Sequence, residues 1–188
     1  MVVNLAKVLP RSSANGPGER YVLWVQGCPL ACSGCWNPDT WSFERKILRK
    51  VNELADEIVH TTGIEGVTFT GGEPFAQAAA LAELAKTIKK SGLTLFIFTG
   101  YTIPELKKPE HQMLIEHADI LVTGRYDKSL RTTDLPWRGS SNQEVHFISK
   151  KYGLDSMNAS PSLEFHLNPK VPAVITGFPI EEEWQNTP

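Results

Sequence analysis

"GVTFTGGEPFAQAAALAELAKTIKKSGLTLFIFTGY" (66–101) holds a complete folding unit in 36 residues. Its first seven residues form a short apolar, β-branched run that ends in T-G-G-E-P, the pattern of a buried strand meeting a tight turn. The next stretch, 75–92, is rich in strong helix formers and places Leu81, Leu84, Ala85 and Ile88 on one stripe. "LTLFIFTG" (93–100) is apolar almost without a break, as strands covered on both faces are. Strand, helix, strand with short links predicts two parallel strands joined by a crossover helix.

The same alternation continues on either side. Upstream, "RYVLWVQG" (20–27) is a strand that runs straight into Cys28, preceded by a Ser, Gly and Pro-rich loop over 10–20. Between Cys35 and residue 66 the spacing of Ile47, Val51, Leu54, Ala55 and Ile58 predicts a helix capped by Ser42 and stopped by Gly63. Downstream, 104–117 forms a weaker helix interrupted by Pro109, and "ADILVTGRYD" (118–127) a fourth strand. Beyond Asp127 the pattern changes: 128–143 is loop-like, and "EVHFIS", "LEFHLN" and "AVITGFP" are late strands of an added β extension. The expectation is α/β architecture in one domain over 1–188, with a core of about 15–143 and a less typical segment over 144–188.

The bulk composition is ordinary. Hydrophobic residues make up 41% and charged residues 21% of 188, and 19 basic against 21 acidic side chains leave a net charge of −2. That balance gives no electrostatic argument for nucleic acid or an anionic membrane. No run approaches the ~18 apolar residues of a membrane span, and the N-terminus does not read as a signal peptide. A cytoplasmic protein is expected.

All three cysteines lie within eight positions: Cys28, Cys32 and Cys35. An odd number cannot close as disulfides in pairs, and three is one short of a structural zinc site, with no histidine nearer than His60. Thiolates suit iron–sulfur clusters, and a cubane with three protein ligands keeps one iron open. The cysteines follow the first strand, "TGGEP" (70–74) the second, "TGY" (99–101) the third and "TGRYD" (123–127) the fourth. In parallel α/β folds ligands collect where strands end. The five histidines are scattered and receive no role.

A C-x3-C-x2-C loop followed one β-α unit later by G-G-E-P resembles the radical S-adenosylmethionine superfamily. The stretches "NGPGERYVLWVQGC", "CSGCWNPDTW", "VTFTGGEPFAQ", "FIFTGY", "DILVTGRYD" and "RGSSNQ" together resemble the activating enzymes of glycyl-radical enzymes, including anaerobic ribonucleotide reductase. Asn15 stands where related sequences often carry Asp. The resemblance implies a [4Fe–4S] cluster on Cys28, Cys32 and Cys35, with S-adenosylmethionine at the open iron. Reductive cleavage then gives a 5′-deoxyadenosyl radical that activates a large glycyl-radical partner, with flavodoxin or ferredoxin as electron donor. It assigns cofactor contacts to Gly34, Trp36, Gly71, Gly72, Glu73, Pro74, Thr99 and Arg125. Glu73 and nearby carbonyls would receive the methionine ammonium, Trp36 would lie near the adenine, and Thr99 and Arg125 near the ribose and carboxylate. Gly71 and Gly72, lacking Cβ atoms, would let the backbone approach the cofactor.

A closed eight-fold barrel takes ~250 residues, so this length implies a partial, laterally open (β/α) barrel of the radical S-adenosylmethionine type. An open side needs a protein surface to shield the radical. Two other functions fit less of the sequence: a maturase or biosynthetic enzyme acting on a peptide or small molecule, and a non-catalytic iron–sulfur carrier or redox sensor. The second leaves G-G-E-P without a task.

Overall fold

In the computed structural model, which describes residues 1–158, 163–168 and 171–177, the apolar runs read from the sequence become the centre of one sheet. Strands β2 (Arg20–Val25), β4 (Gly66–Gly71), β5 (Thr94–Phe98) and β6 (Ile120–Thr123) lie side by side and parallel. Three antiparallel strands complete it: β1 (Val2–Ser12) beside β2, β3 (Ile47–Lys50) outside β1, and β7 (Glu144–Phe147) beside β6. The order is β3-β1-β2-β4-β5-β6-β7, and β8 (Leu163–Asn168) pairs with β9 (Val171–Gly177) in a separate antiparallel hairpin.

Helices α1 (Val51–Val59), α2 (Ala78–Lys90) and α3 (Pro109–Ile115) lie against one face of the sheet. Strand alternation explains the packing. Tyr21, Leu23, Val25, Val67, Phe69, Leu95 and Ile97 point into the same core as Leu54, Ile58, Leu81, Leu84, Ile88 and Leu114. The intervening residues face the other way, where Val22 and Trp24 pack with Ala6 and Leu9, and Phe96, Ile120 and Val122 pack with Trp137. Arg20 is fully buried and ties three parallel strands at their entry end. Its Nε donates to Thr68 Oγ1 at 2.8 Å, Nη1 to Thr94 Oγ1 at 3.1 Å and Nη2 to the Val67 carbonyl at 2.8 Å.

Several boundaries differ from the sequence reading. The N-terminal segment is a strand to Ser12 rather than a loop from residue 10; two register shifts, between Leu5 and Lys7 and between Leu9 and Ser12, break its alternation. The helix expected from residue 43 starts at Val51, preceded by β3 on the open edge of β1, so Ile47 sits 40% exposed in a strand and Ser42 caps no helix. That helix ends at Val59, before Gly63. The second helix opens with a 3-10 turn, Pro74–Gln77. Pro109 opens α3 rather than interrupting a longer helix, because the first turn needs no backbone N–H from it. The late strands are present as β7, β8 and β9; residues 178 and 179 of the last predicted run lie outside the described residues. No helix among the described residues is long and apolar enough to cross a membrane.

Candidate active site

Parallel pairing puts the ends of β2, β4, β5 and β6 along one edge: Val25 is level with Gly71, Phe69 with Ile97, and Phe98 with Val122. The four loops leaving these ends hold every residue singled out above. Gly27, at φ +101°, turns the chain out of β2 into the cysteine loop. The loop is closed at its base, where Gly27 N donates to Thr40 O at 2.8 Å and Cys28 N to Trp41 O at 3.1 Å.

The thiols are half-buried and none is in a disulfide. Burial pushes the Cys28 and Cys32 thiols up; backbone N–H groups oppose it, from Leu30 and Ala31 at Cys28 and chiefly from Tyr126 at Cys32. Asn37 N donates to Cys35 Sγ at 3.4 Å. Each sulfur therefore already has N–H donors aimed at it, the environment a coordinated thiolate needs. Three soft thiolate donors in one loop fit an iron–sulfur cluster with one open corner.

The second loop is bound to the first through its backbone. Gly72 N donates to Val25 O and Glu73 N to Gly27 O, both at 2.9 Å. A Cβ on Gly71 would sit 2.6 Å from Trp24 Cα, and one on Gly72 2.5 Å from Gly27 O. The two glycines thus admit the close approach of β4 to the chain entering Cys28, a requirement of the protein's own packing.

Glu73 is 1% exposed. Its Oε1 accepts from Phe75 N at 2.9 Å and from Thr99 Oγ1 at 2.7 Å, and its Oε2 from Gly100 N at 2.9 Å. Burial pushes this carboxyl up to about 7 against the pull of those donors. Thr99 is buried beside it, and Pro74 starts the turn that leads away. Arg125, at the fourth loop, makes a bidentate pair with Glu105 at 2.8 and 2.9 Å and lies 5.9 Å from the Tyr101 ring centroid. The Arg125 guanidinium, with the Thr102 N–H and hydroxyl, holds Glu105 down at about 2.

The fourth loop also covers the cysteine loop. Gly34, at φ +73°, faces the Lys128 side chain, and Trp36 packs between Tyr126, 6.3 Å between ring centroids, and Arg131, 4.8 Å from its ring centroid. "RGSSNQ" braces that cover: Gln143 accepts from Gly139 N and Ser140 N and donates to Gly124 O at 2.9 Å, while Asn142 donates to Arg125 O. The sequence alone assigns this motif no contact; its amides and hydroxyls beside a glycine are the available signal. Glu105 and Tyr126 were missed as well. A cavity of about 520 Å³ opens beside Cys35 and Trp36, floored by Trp24, Thr70 and Phe98 of the helix-free sheet face.

Residues 14–146 match the family described as a 4Fe-4S single cluster domain. The anaerobic ribonucleoside-triphosphate reductase-activating protein of Vibrio cholerae is 34% identical over 153 residues, 77% of this chain and 97% of its own. Those of Enterobacteria phage T4 and Escherichia coli K12 are 32% and 31% identical, over 76% and 78% of this chain and 93% and 99% of theirs. The chain belongs to this family of activating proteins. It is a radical S-adenosylmethionine enzyme, and its cofactors are a [4Fe–4S] cluster and S-adenosylmethionine. A solved structure, QueE from Escherichia coli, superposes with a TM-score of 0.47 at 20% identity over 54% of each chain.

Proposed function

We propose that this activating enzyme raises a glycyl radical on an anaerobic ribonucleotide reductase, with Cys28, Cys32 and Cys35 as the cluster ligands. The observation that carries the reading is Glu73: its N–H bonds the carbonyl preceding Cys28, and its carboxylate holds Thr99 and Gly100. One buried residue thereby fixes the second and third loops against the cysteine loop. When bound, the cluster supplies the electron that splits S-adenosylmethionine into methionine and a 5′-deoxyadenosyl radical.

The chain's own residues bind, orient and shield. Three thiolates with N–H donors hold the metal and leave one corner for the cofactor. Gly34, Gly71, Gly72 and Pro74 shape the loops around that corner, and Trp36 presents an aromatic face to the adenine. Glu73, already accepting three hydrogen bonds, serves by fixing the loops rather than by taking the ammonium itself. Arg125 exchanges Glu105 for the cofactor carboxylate; the pair is exposed and screened by water, so the exchange costs little.

The parallel strands and one-sided helices support a partial, laterally open barrel in a single domain over 1–188, closed on its open side by the reductase. A cytoplasmic flavodoxin or ferredoxin serves as electron donor. Protein reconstituted without oxygen should take up about four irons, form 5′-deoxyadenosine on reduction, and place a glycyl radical on the reductase detectable by electron spin resonance. An intact cluster that yields no nucleoside product would overturn the reading. Cys32→Ala should lose the cluster absorption; its retention would remove Cys32 from the ligand set.

A further inference from the structure

The floor of the cavity beside Cys35 is a row of side chains across four adjacent strands on the helix-free face. Lys7 of β1 is opposite Trp24 of β2, and Trp24 is level with Thr70 of β4. Phe98 of β5 continues the row, since Phe69 pairs with Ile97 one position earlier. Residues opposite one another in a sheet share a face, so the floor reads ammonium, indole, hydroxyl, phenyl. Among the described residues Lys7 is the one charged side chain lining this cavity. Its Nζ stands 4.1 Å from the centroid of the Trp24 ring and makes no hydrogen bond or ion pair with another described residue. Thr70 Oγ1 likewise makes no hydrogen bond among them.

A half-buried ammonium in this setting is held at a cost. Burial pushes it down, and the charge that opposes this is Asp39, an exposed carboxylate that forms no ion pair with it. The indole face offsets part of the cost but supplies no acceptor for three N–H donors. Oxygen acceptors carried by a ligand would complete the site. The cofactor is the poorer source of them. S-adenosylmethionine bears a sulfonium and an ammonium against one carboxylate, so a further cation beside it repels. Arg125, which takes that carboxylate in the reading above, stands past the end of β6. Lys7 lies on β1, four strand spacings away, about 19 Å along the sheet.

We propose that Lys7 seats the protein substrate, its ammonium donating to main-chain carbonyl oxygens of the polypeptide segment whose glycine is oxidised. The inference rests on the function proposed above and assigns that substrate a specificity-determining residue. A glycine offers no side chain to grip, so the reacting residue is recognised through the peptide groups on either side of it. Peptide carbonyls are the acceptors that every such segment brings, whatever its neighbouring side chains. Thr70 Oγ1, two strands along the same row, is a second donor for the same segment. The floor between them is the flat face of Trp24, against which a chain without a side chain can lie closely.

The test compares Lys7→Met, which keeps an apolar stem over Trp24 and removes the donors, with Lys7→Arg, which keeps a cation that also stacks on an aromatic face. Three quantities are measured on protein reconstituted without oxygen: cluster absorption, the KM for S-adenosylmethionine in 5′-deoxyadenosine formation without the reductase, and glycyl radical formed on the reductase per 5′-deoxyadenosine. In Lys7→Met the first two should stay within about twofold, while the third falls at least about tenfold, the scale of a lost charge-assisted hydrogen bond. Lys7→Arg should recover most of that loss. A role in packing alone would leave Lys7→Met fully coupled, and that result overturns the inference. So does a loss of cluster, a raised KM for S-adenosylmethionine, which would move the contact to the cofactor, or a Lys7→Arg no better than Lys7→Met. If wild-type enzyme forms no 5′-deoxyadenosine, the functional reading fails and this inference with it. If wild type forms it and Lys7→Met activates the reductase normally, only the inference fails.

Discussion

Replacing Glu73 by glutamine should change the pH dependence of stability in a direction the structure fixes. In the folded apoprotein this carboxyl sits at about 7 against an ordinary 4.5, because burial outweighs the donors from Phe75, Thr99 and Gly100. At 1.36 kcal/mol for each tenfold change in proton affinity, that difference is about 3 kcal/mol. A carboxyl raised on folding binds its proton more tightly in the native state. Its contribution is therefore complete below about pH 4.5 and is lost as pH rises through about 7. Glutamine has no such proton, while the other titrating groups are common to both proteins and cancel in the difference. Urea unfolding of metal-free wild type and Glu73→Gln, followed without oxygen between pH 4.5 and 8, gives that difference directly. Wild type should lose about 3 kcal/mol relative to the variant over this range. The variant is offset at low pH, because its amide NH2 meets the Gly100 N–H where a carboxylate oxygen stood; the slope of the difference, and not its offset, carries the test. A flat difference would show that Glu73 is not raised in the fold and would remove the buried-tie argument.

Gly72→Ala should lower stability by roughly 1–3 kcal/mol, read as a lower Tm, because its Cβ would meet the carbonyls of Gly27 and Val25 at 2.5 and 2.9 Å, both backbone. Asn15→Ala should loosen the β8–β9 hairpin by about 1–3 kcal/mol. It removes the amide that donates to both Thr176 Oγ1 and Ser12 Oγ; faster amide exchange over 163–168 and 171–177 checks it. Glu105→Gln frees Arg125 from its bidentate partner, so KM for S-adenosylmethionine should fall by up to about fivefold with kcat unchanged, the scale of an exposed ion pair.

The centre of this fold was legible because burial on both faces writes itself as uninterrupted apolar sequence. β2 and β5 are buried throughout or nearly so, and both were read from that alone. The edges were not, and the reasons are local. β1 has two register shifts that destroy period-2 alternation, and β3 is a short, mostly exposed edge strand on the outer side of β1 with no apolar face to mark it. Ile47 lies four residues before Val51, which mimics a helical repeat across a strand-to-helix junction. The site divided in the same way. Cysteine spacing and G-G-E-P gave the residues at the strand ends, since those motifs are contiguous in sequence. The Arg125–Glu105 pair, the Gln143 brace and the Asn15–Thr176 contact span 20, 19 and 161 positions, and no window of sequence contains them.

Unequal cover on the two faces of the sheet links the fold to the need for a second protein. Helices seal one face into a continuous core, whereas the opposite face is closed by smaller clusters around Trp24 and Trp137 with the cavity between the strand ends and the hairpin. In the partial barrel proposed above, an unclosed side would leave the cysteine loop within reach of a polypeptide segment and of water alike. The two requirements are reconciled if whatever brings the segment also supplies the missing wall. Radical formation should then be better protected in the complex than in the enzyme alone. In deuterated water, 5′-deoxyadenosine released with the reductase present should carry the reductase's own hydrogen, with no dependence on the solvent isotope. Quenching of the radical by small thiols should fall as reductase is titrated in. Thiol quenching that stays constant across that titration would mean the chain shields its own chemistry, and the open side of the sheet would need another explanation.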